Sequence, residues 1–317
     1  MKSERPHLDS IEPSSRSSYQ PPRQEQKTLV NEAFSLRPPN LRKRAVLVRM
    51  DSVHAGQVTS LDGPEARIGR HPDNTIVVDD DGLSRVHARV YYYEGVYVVE
   101  DLGSSNGSYV NGQRVDARTL FEGAVLQFGP SVCFRFSITD ENQEKILRQL
   151  YETSVRDGLT GAYNRHFFVE RLSGEVSYAS RHAAQASIVM YDVDQFKKIN
   201  DTYGHQAGDD VLRNLAATTR KHLRVEDVFA RYGGEEFIVL LRGVSLRGAE
   251  RAAERLRQYI VEAPTESGGE VIEATVSMGC ASVDCIEQRD AETLIAVADR
   301  RLYIAKGAGR NRVVADG

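Results

Sequence analysis

The stretch RYGGEEFIVLL, Arg231 to Leu241, sets two glycines and two glutamates at the mouth of an apolar run. Two glycines between the strand-like runs VFARY and EEFIVLL are a strong hairpin signal. The turn then carries Glu235 and Glu236. A second acidic pair, Asp192 and Asp194, ends the apolar run ASIVMYDVD. If those strands are neighbours, Asp192 and Glu235 meet at one end of a sheet. Carboxylates gathered there are costly unless cations neutralise them. Hard oxygen ligands with open positions suit Mg²⁺, which keeps waters and binds substrate phosphates. Two metal ions about 4 Å apart suit in-line attack at phosphorus. Gly233 and Gly234 would let a triphosphate come close to the backbone. Taken alone, the same four residues also read as a turn with two exposed glutamates.

Basic and polar groups shift that balance. Lys197 lies in FKKIND, and Lys306 and Arg310 lie in AKGAGRN. Each could hold a phosphate, the arginine bidentately. Each singly also reads as a surface cation. Asn200 and Asp209 offer an amide and a carboxylate that together match the edge of guanine. On their own they would be helix caps.

These groups need elements to position them. The 317 residues suggest about two domains. Residues 1–44 are rich in Ser, Pro, Arg and Gln, and read as a disordered tail. From 45 to 138, short β-rich runs punctuated by Gly, Asn and Asp suggest an all-β sandwich. Residues 139–156 read as a helix capped by Thr139 or Asp140. Its apolar stripe is Ile146, Leu147, Leu150, Tyr151 and Val155. That stripe could dock on a neighbouring domain or pair with its copy in a dimer. Residues 157–317 alternate helices and strands. They suggest an α+β fold, one antiparallel sheet with helices on a single face.

Composition narrows the function classes. The chain is 40% hydrophobic and 27% charged with net charge −4, so nothing draws it to nucleic acid or to an anionic membrane. No apolar stretch approaches a membrane span, and MKSERPHLDS lacks a secretory core. Cys133, Cys280 and Cys285 fit neither a disulfide framework nor a zinc pattern, and read as buried thiols in a reducing cytoplasm.

The motifs DGLTGAYNR, DVDQFKKINDTYGHQAGD, RYGGEEF, VSMGCA and ADRRLYIAKGAGRN occur in family order. In them the chain resembles the GGDEF, or diguanylate cyclase, family. The resemblance implies a palm-like fold akin to nucleotidyl cyclases. It implies condensation of two GTP into cyclic di-GMP with release of pyrophosphate, in a homodimer. By position, Asp192, the Val193 carbonyl and Glu235 would bind Mg²⁺, two ions per site, with Mn²⁺ as a substitute. Glu236 would partner the metal or aid deprotonation of the 3′-hydroxyl, and Lys197 would offset transition-state charge. Asn200 and Asp209 would read guanine. Lys306 and Arg310, with the backbone at Gln195, Phe196, Gly233 and Gly234, would hold the phosphates. The third letter of the motif is Glu rather than Asp, which keeps the carboxylate. RVED, with Arg224 and Asp227, matches the family's RxxD product-inhibition site, and Arg255 stands where a further arginine often joins it. A bare RxxD is otherwise a surface ion pair of little worth.

Upstream, ARIGRHPDNTIVVDDDGLSRVHARV and DLGSSNGSYVNG resemble a forkhead-associated (FHA) domain. That implies phosphothreonine binding by Arg70, Ser84, Arg85, Ser105 and Asn106, with His87 and Gly107 bracing the loops. Ser105 stands where Thr is frequent. The ligand could be a phosphorylated protein, or Thr28 of the chain's own tail. A non-catalytic receptor for GTP or cyclic di-GMP is the alternative, and a scaffold built on the FHA domain is another. The retained site residues argue against the first.

Overall fold

The computed structural model describes residues 43–51 and 54–316. The proposed tail segment up to Arg42, Thr28 included, lies outside the described residues.

The first domain is a pair of sheets. Its strands are β1 (Lys43–Arg49), β2 (Val58–Ser60), β3 (Glu65–Gly69), β4 (Ile76–Val77), β5 (Ala88–Tyr93) and β6 (Val96–Asp101). They continue with β7 (Ser108–Val110), β8 (Gln113–Val115), β9 (Ala117–Leu120), β10 (Val125–Phe128) and β11 (Val132–Asp140). One sheet runs β2-β1-β11-β10-β7-β8 and the other β4-β3-β5-β6-β9. Alternating inward residues such as Leu47, Ile68, Val90, Leu126, Phe134 and Phe136 fill the space between them.

Helix α1 (Glu141–Val155) follows without a break. Asp140 caps it, accepting from the Gln143 backbone N–H, and the Gln143 side chain returns the bond. This is a complete capping box. The apolar stripe divides. Val155 is buried and Tyr151 half-buried against the second domain, whereas Ile146 and Leu150 are 56% and 62% exposed.

The second domain holds β12 (Tyr163–Asn164), α2 (Arg165–His182), β13 (Ala186–Val193), α3 (Phe196–Tyr203) and α4 (His205–Lys221). Next come β14 (Val228–Arg231), β15 (Glu236–Arg242), α5 (Leu246–Val261), β16 (Thr265–Ser267) and β17 (Glu270–Ile272). The chain closes with β18 (Val276–Ser282), α6 (Ala291–Gly307) and β19 (Val313–Val314). The main sheet runs β12-β14-β15-β13-β18-β19. Its interior pairs are antiparallel, but both edges are parallel pairs, so the sheet is mixed.

Helices cover both faces of that sheet, not one. Val189, Tyr191 and Val193 face α4 and α5. Ile188 and Met190, on the alternate positions, face α2 and α6. The reason is legible in β13 itself, where all eight residues are buried. A strand covered on one face only would alternate. The cysteines also differ from expectation. Cys280 is buried, Cys133 partly so, and Cys285 is exposed.

Helix α6 lies directly on β18 at Gly279. A Cβ there would sit 2.1 Å from the Ala298 carbonyl oxygen and 2.4 Å from the Leu302 nitrogen. Both are helix backbone and cannot step aside. Gly279→Ala is expected to cost the second domain about 1–3 kcal/mol by overpacking, read as a lower thermal transition. An unchanged transition would mean that the strand and helix are not this close.

Candidate active site

The hairpin forms as its sequence requires. Arg231 pairs with Phe237, and the turn is closed by Tyr232 and Gly233 N–H groups donating to the Glu236 carbonyl. A Cβ at Gly233 would lie 2.6 Å from Glu236 Oε2, so a side chain there would displace that carboxylate. Strand β13 lies beside β15 with Asp192 opposite Glu236. One end of the sheet therefore gathers Asp192, Glu235 and Glu236.

Electrostatics there are unfavourable for so many acids. Burial pushes the Asp192 carboxyl up from its usual range, and Lys306 opposes that rise. Burial and the charge of Asp192 raise both Glu235 and Glu236. The nearest relief is Lys306, whose Nζ lies 2.8 Å from Asp192 Oδ2. The sequence assigned Lys306 to phosphate, whereas in this structure it neutralises a carboxylate.

Asp194, two residues on, does a different job. It accepts from Ser277 Oγ at 2.6 Å, Thr275 Oγ1 at 2.7 Å and the Asn311 backbone N–H at 3.0 Å. It thereby fastens the loop after α6, which carries Arg310 in a left-handed conformation. Arg310 is close enough to lower the Asp192 carboxyl.

Lys197 and Asn200 stand on α3, entered through Gln195 in the left-handed region. Lys198 and Ile199 N–H groups donate to the Gln195 carbonyl, which leaves those of Phe196 and Lys197 without helical partners. Asn200 leans against Gly208, where a Cβ would be 1.9 Å from its Oδ1. Asp209 is the next residue on α4.

Two residues unassigned from sequence complete the turn. Arg231 Nη1 donates to both oxygens of Asp157 at 3.1 Å, while its Nη2 and Nε donate to the Gly234 carbonyl at 2.6 and 3.0 Å. Asp157 follows α1 directly. The signal was present, since Arg231 opens RYGGEEF and Asp157 opens DGLTG, but its meaning needs the fold. Arg165 stacks over the Tyr232 ring at 4.5 Å.

Away from this end, Arg224, Asp227 and Arg255 line one cavity of about 850 Å³, together with Arg251, His222 and Tyr259. Asp227 Oδ2 accepts from the Arg224 backbone N–H, while Oδ1 is buried without a partner. Burial raises its carboxyl.

In the first domain the five expected phosphate-site residues stand on three loops, after β3, between β4 and β5, and between β6 and β7. Arg70 N–H donates to the Ser84 carbonyl. Ser84 Oγ accepts from Ser105 N–H at 3.0 Å, and Asn106 Nδ2 donates to the Gly82 carbonyl at 2.9 Å. Arg70 and Arg85 are exposed. Buried His87 accepts from Ser84 N–H at Nδ1, which leaves Nε2–H for the Gly107 carbonyl. Its ring braces the two loops.

A family model described as "Diguanylate cyclase, GGDEF domain" matches residues 154–312, half of the chain. The chain belongs to the GGDEF family. The FHA domain model matches residues 66–129, ahead of the GGDEF domain. Among curated proteins, diguanylate cyclase DosC of Escherichia coli is 34% identical over 243 residues, 74% of this chain and 52% of DosC. Response regulator PleD of Caulobacter vibrioides is 40% identical over 165 residues, 51% of this chain and 36% of PleD. This chain thus spans about half the length, or less, of these relatives. Among solved structures, the coiled coil and GGDEF domain of DgcB from Caulobacter crescentus, in complex with c-di-GMP, aligns with TM-score 0.51 at 28% identity. That alignment covers 55% of this chain and 92% of DgcB's. Diguanylate cyclase SiaD of Pseudomonas aeruginosa, solved with its activator SiaC, aligns with TM-score 0.50 at 35% identity over 55% of this chain and 66% of SiaD's.

The raised carboxyls give a pH signature for the GGDEF domain. Groups whose folded pKa lies above the unfolded one favour the fold below about pH 4. That contribution is lost as pH rises through the folded values. Glu235→Gln removes one of the mutually repelling charges. In chelator at pH 7 it should melt above the wild type, and the gap should close toward pH 4. Equal melting at both pH values would contradict the repulsion.

Proposed function

We propose that the protein is a diguanylate cyclase, condensing two GTP into cyclic di-GMP and two pyrophosphates. The observation that carries this is the gathering of Asp192, Glu235 and Glu236 beside the Gly233–Gly234 turn in a GGDEF-family domain. The names of its relatives support the same reading.

The donor set fits divalent magnesium. Among the described residues no three acidic, His or Cys side chains stand ready to enclose a metal. Magnesium does not need such a cage, since it keeps waters and takes substrate phosphates. Asp192, Glu235 and the Val193 carbonyl would hold it, with Glu236 adjacent and Mn²⁺ as a substitute. Bound there, the ion, or a pair of them, would supply charge neutralisation and Lewis acidity at the phosphates. The repulsion among the carboxylates supports a cationic occupant. Lys306 then has a second position open to it, on the β- and γ-phosphates, opposite Arg310. N–H groups near Gln195 and Phe196 and the bare backbone of Gly233 and Gly234 would complete the cradle. Asn200 and Asp209 would select guanine, and Lys197 would face charge developing in the transition state.

Each 3′-hydroxyl attacks the α-phosphorus of the other GTP, its proton leaves, and the bond to pyrophosphate breaks. One domain holds one GTP, so two domains must face each other, most simply in a twofold dimer. The proposed partition is a tail over 1–44, an FHA domain over 45–138, a helical linker over 139–156 and the cyclase over 157–317. The linker would set how the two cyclases meet. The FHA site would take a phosphothreonine, from a partner or from Thr28. Arg224, Asp227 and Arg255 would bind product and restrain the enzyme. No helix among the described residues is long and apolar enough to cross a membrane, and a cytoplasmic enzyme is the reading that composition favours.

Purified protein incubated with GTP and Mg²⁺ should yield cyclic di-GMP and pyrophosphate on chromatography. Glu235→Ala/Glu236→Ala should lose at least about 10²-fold in rate. Absence of product from wild type, even when fused to a dimeric coiled coil, would sink the cyclase reading and leave a nucleotide receptor.

A further inference from the structure

The FHA loop between β4 and β5 is two-sided. One side carries Ser84 and Arg85. The other carries Asp79 and Asp81, and these point at the GGDEF domain. Asp81 Oδ2 lies 2.6 Å from Arg181 Nη2 and 3.7 Å from His182 Nε2, at the end of α2. Asp79 Oδ2 lies 3.0 Å from Arg242 Nη2 and 3.9 Å from Arg171 Nη2. Between the two aspartates, Asp80 holds the loop to its own domain through Gly82 N–H and Ser131 Oγ. The loop is therefore short, braced and charged on its outer face.

Arg242 is the point where this contact meets another site. Its Nε donates to buried Glu175 at 2.7 Å, so its guanidinium is held between the two domains. Its neighbour Gly243, and Gln185, to which Gly243 donates, line the cavity of Arg224, Asp227 and Arg255. The Arg242 backbone amide also helps stabilise the Asp227 carboxylate, although Oδ1 has no hydrogen-bond partner. One residue thus touches the FHA loop with its side chain and borders the cavity with its backbone.

We propose that Asp79 and Asp81 form an ionic latch on Arg171, Arg181 and Arg242, linking the phosphate-binding loop of the FHA domain to the product cavity. Docked, the latch holds Arg242 in place, and with it the backbone that meets Asp227 at the cavity. Released, Arg242 is free of Asp79, and that backbone can adjust to a bound dianion. Release therefore strengthens cyclic di-GMP binding. By linkage, cyclic di-GMP weakens the latch to the same degree. A phosphothreonine drawn onto Ser84 and Arg85 acts on the same short loop. This inference rests on the reading of the cavity as a product site.

The test uses the full chain with cyclic di-GMP as the probe. Calorimetry gives its affinity, and hydrogen exchange over 165–182 reports docking. Asp79→Ala/Asp81→Ala should speed exchange there and tighten binding about fivefold or more. Asp81→Arg should do so too, and adding Arg181→Asp to that chain should restore slower exchange and weaker binding. If exchange and affinity both stay at wild-type values, the loop is no latch. If exchange rises but affinity does not, the domains dock without coupling, and the inference falls while the product site stands. If wild type binds no cyclic di-GMP, the product-site reading fails and takes the coupling with it.

Discussion

Carboxylates that cannot escape one another govern this molecule. Asp192 is fixed by a strand buried on both faces, and Glu236 lies opposite it in register. Glu235 follows a turn in which the bare Gly233 leaves room for the Glu236 carboxylate. Asp192 and Glu236 are carried by paired strands, and Glu235 immediately precedes β15. Lys306 reaches one of them. The remaining repulsion is stored in a rigid scaffold, which is how sites for hard cations and phosphates are preorganised. Arg231 adds to that rigidity by tying the turn to Asp157, at the foot of the linker helix. The geometry of the site is thereby joined to the helix between the two domains.

Much of this was legible in the sequence because local rules and global fold agree. The glycine pair announced its hairpin, Asp140 its helix start, and the spacing of DVDQFKKIND its strand and helix. The carboxylate cluster followed once β13 and β15 were taken as neighbours. What escaped was non-local. The sheet was given helices on a single face, although the uninterrupted apolar run ASIVMYDV demands cover on both sides. The pairing of Lys306 with Asp192 spans 114 positions of chain in the same ion pair, and nothing in either motif signals it. Asp194, the other acid that ends the run, has its oxygens taken by Ser277, Thr275 and Asn311.

The FHA site illustrates the same division. Its residues were named from pattern, and they stand on three loops joined through Ser84. The three consecutive acids of VVDDDG carried no such pattern. Only the docked arrangement shows that two of them turn toward the GGDEF domain while the middle one braces the loop. Burial at the same junction pushes the His54 imidazole down to about 4, so it stays neutral between the domains near neutral pH. The contact thus sets ion pairs beside one neutral imidazole.

The central claim is that the acidic cluster is built around a divalent cation and a triphosphate. The most direct measurement is calorimetric titration with a non-hydrolysable GTP analogue, in Mg²⁺ and in chelator, for wild type and Asp192→Asn. Binding that needs Mg²⁺ and is lost in the variant is the predicted result. Equal binding in chelator, or binding indifferent to Asp192, would contradict the account.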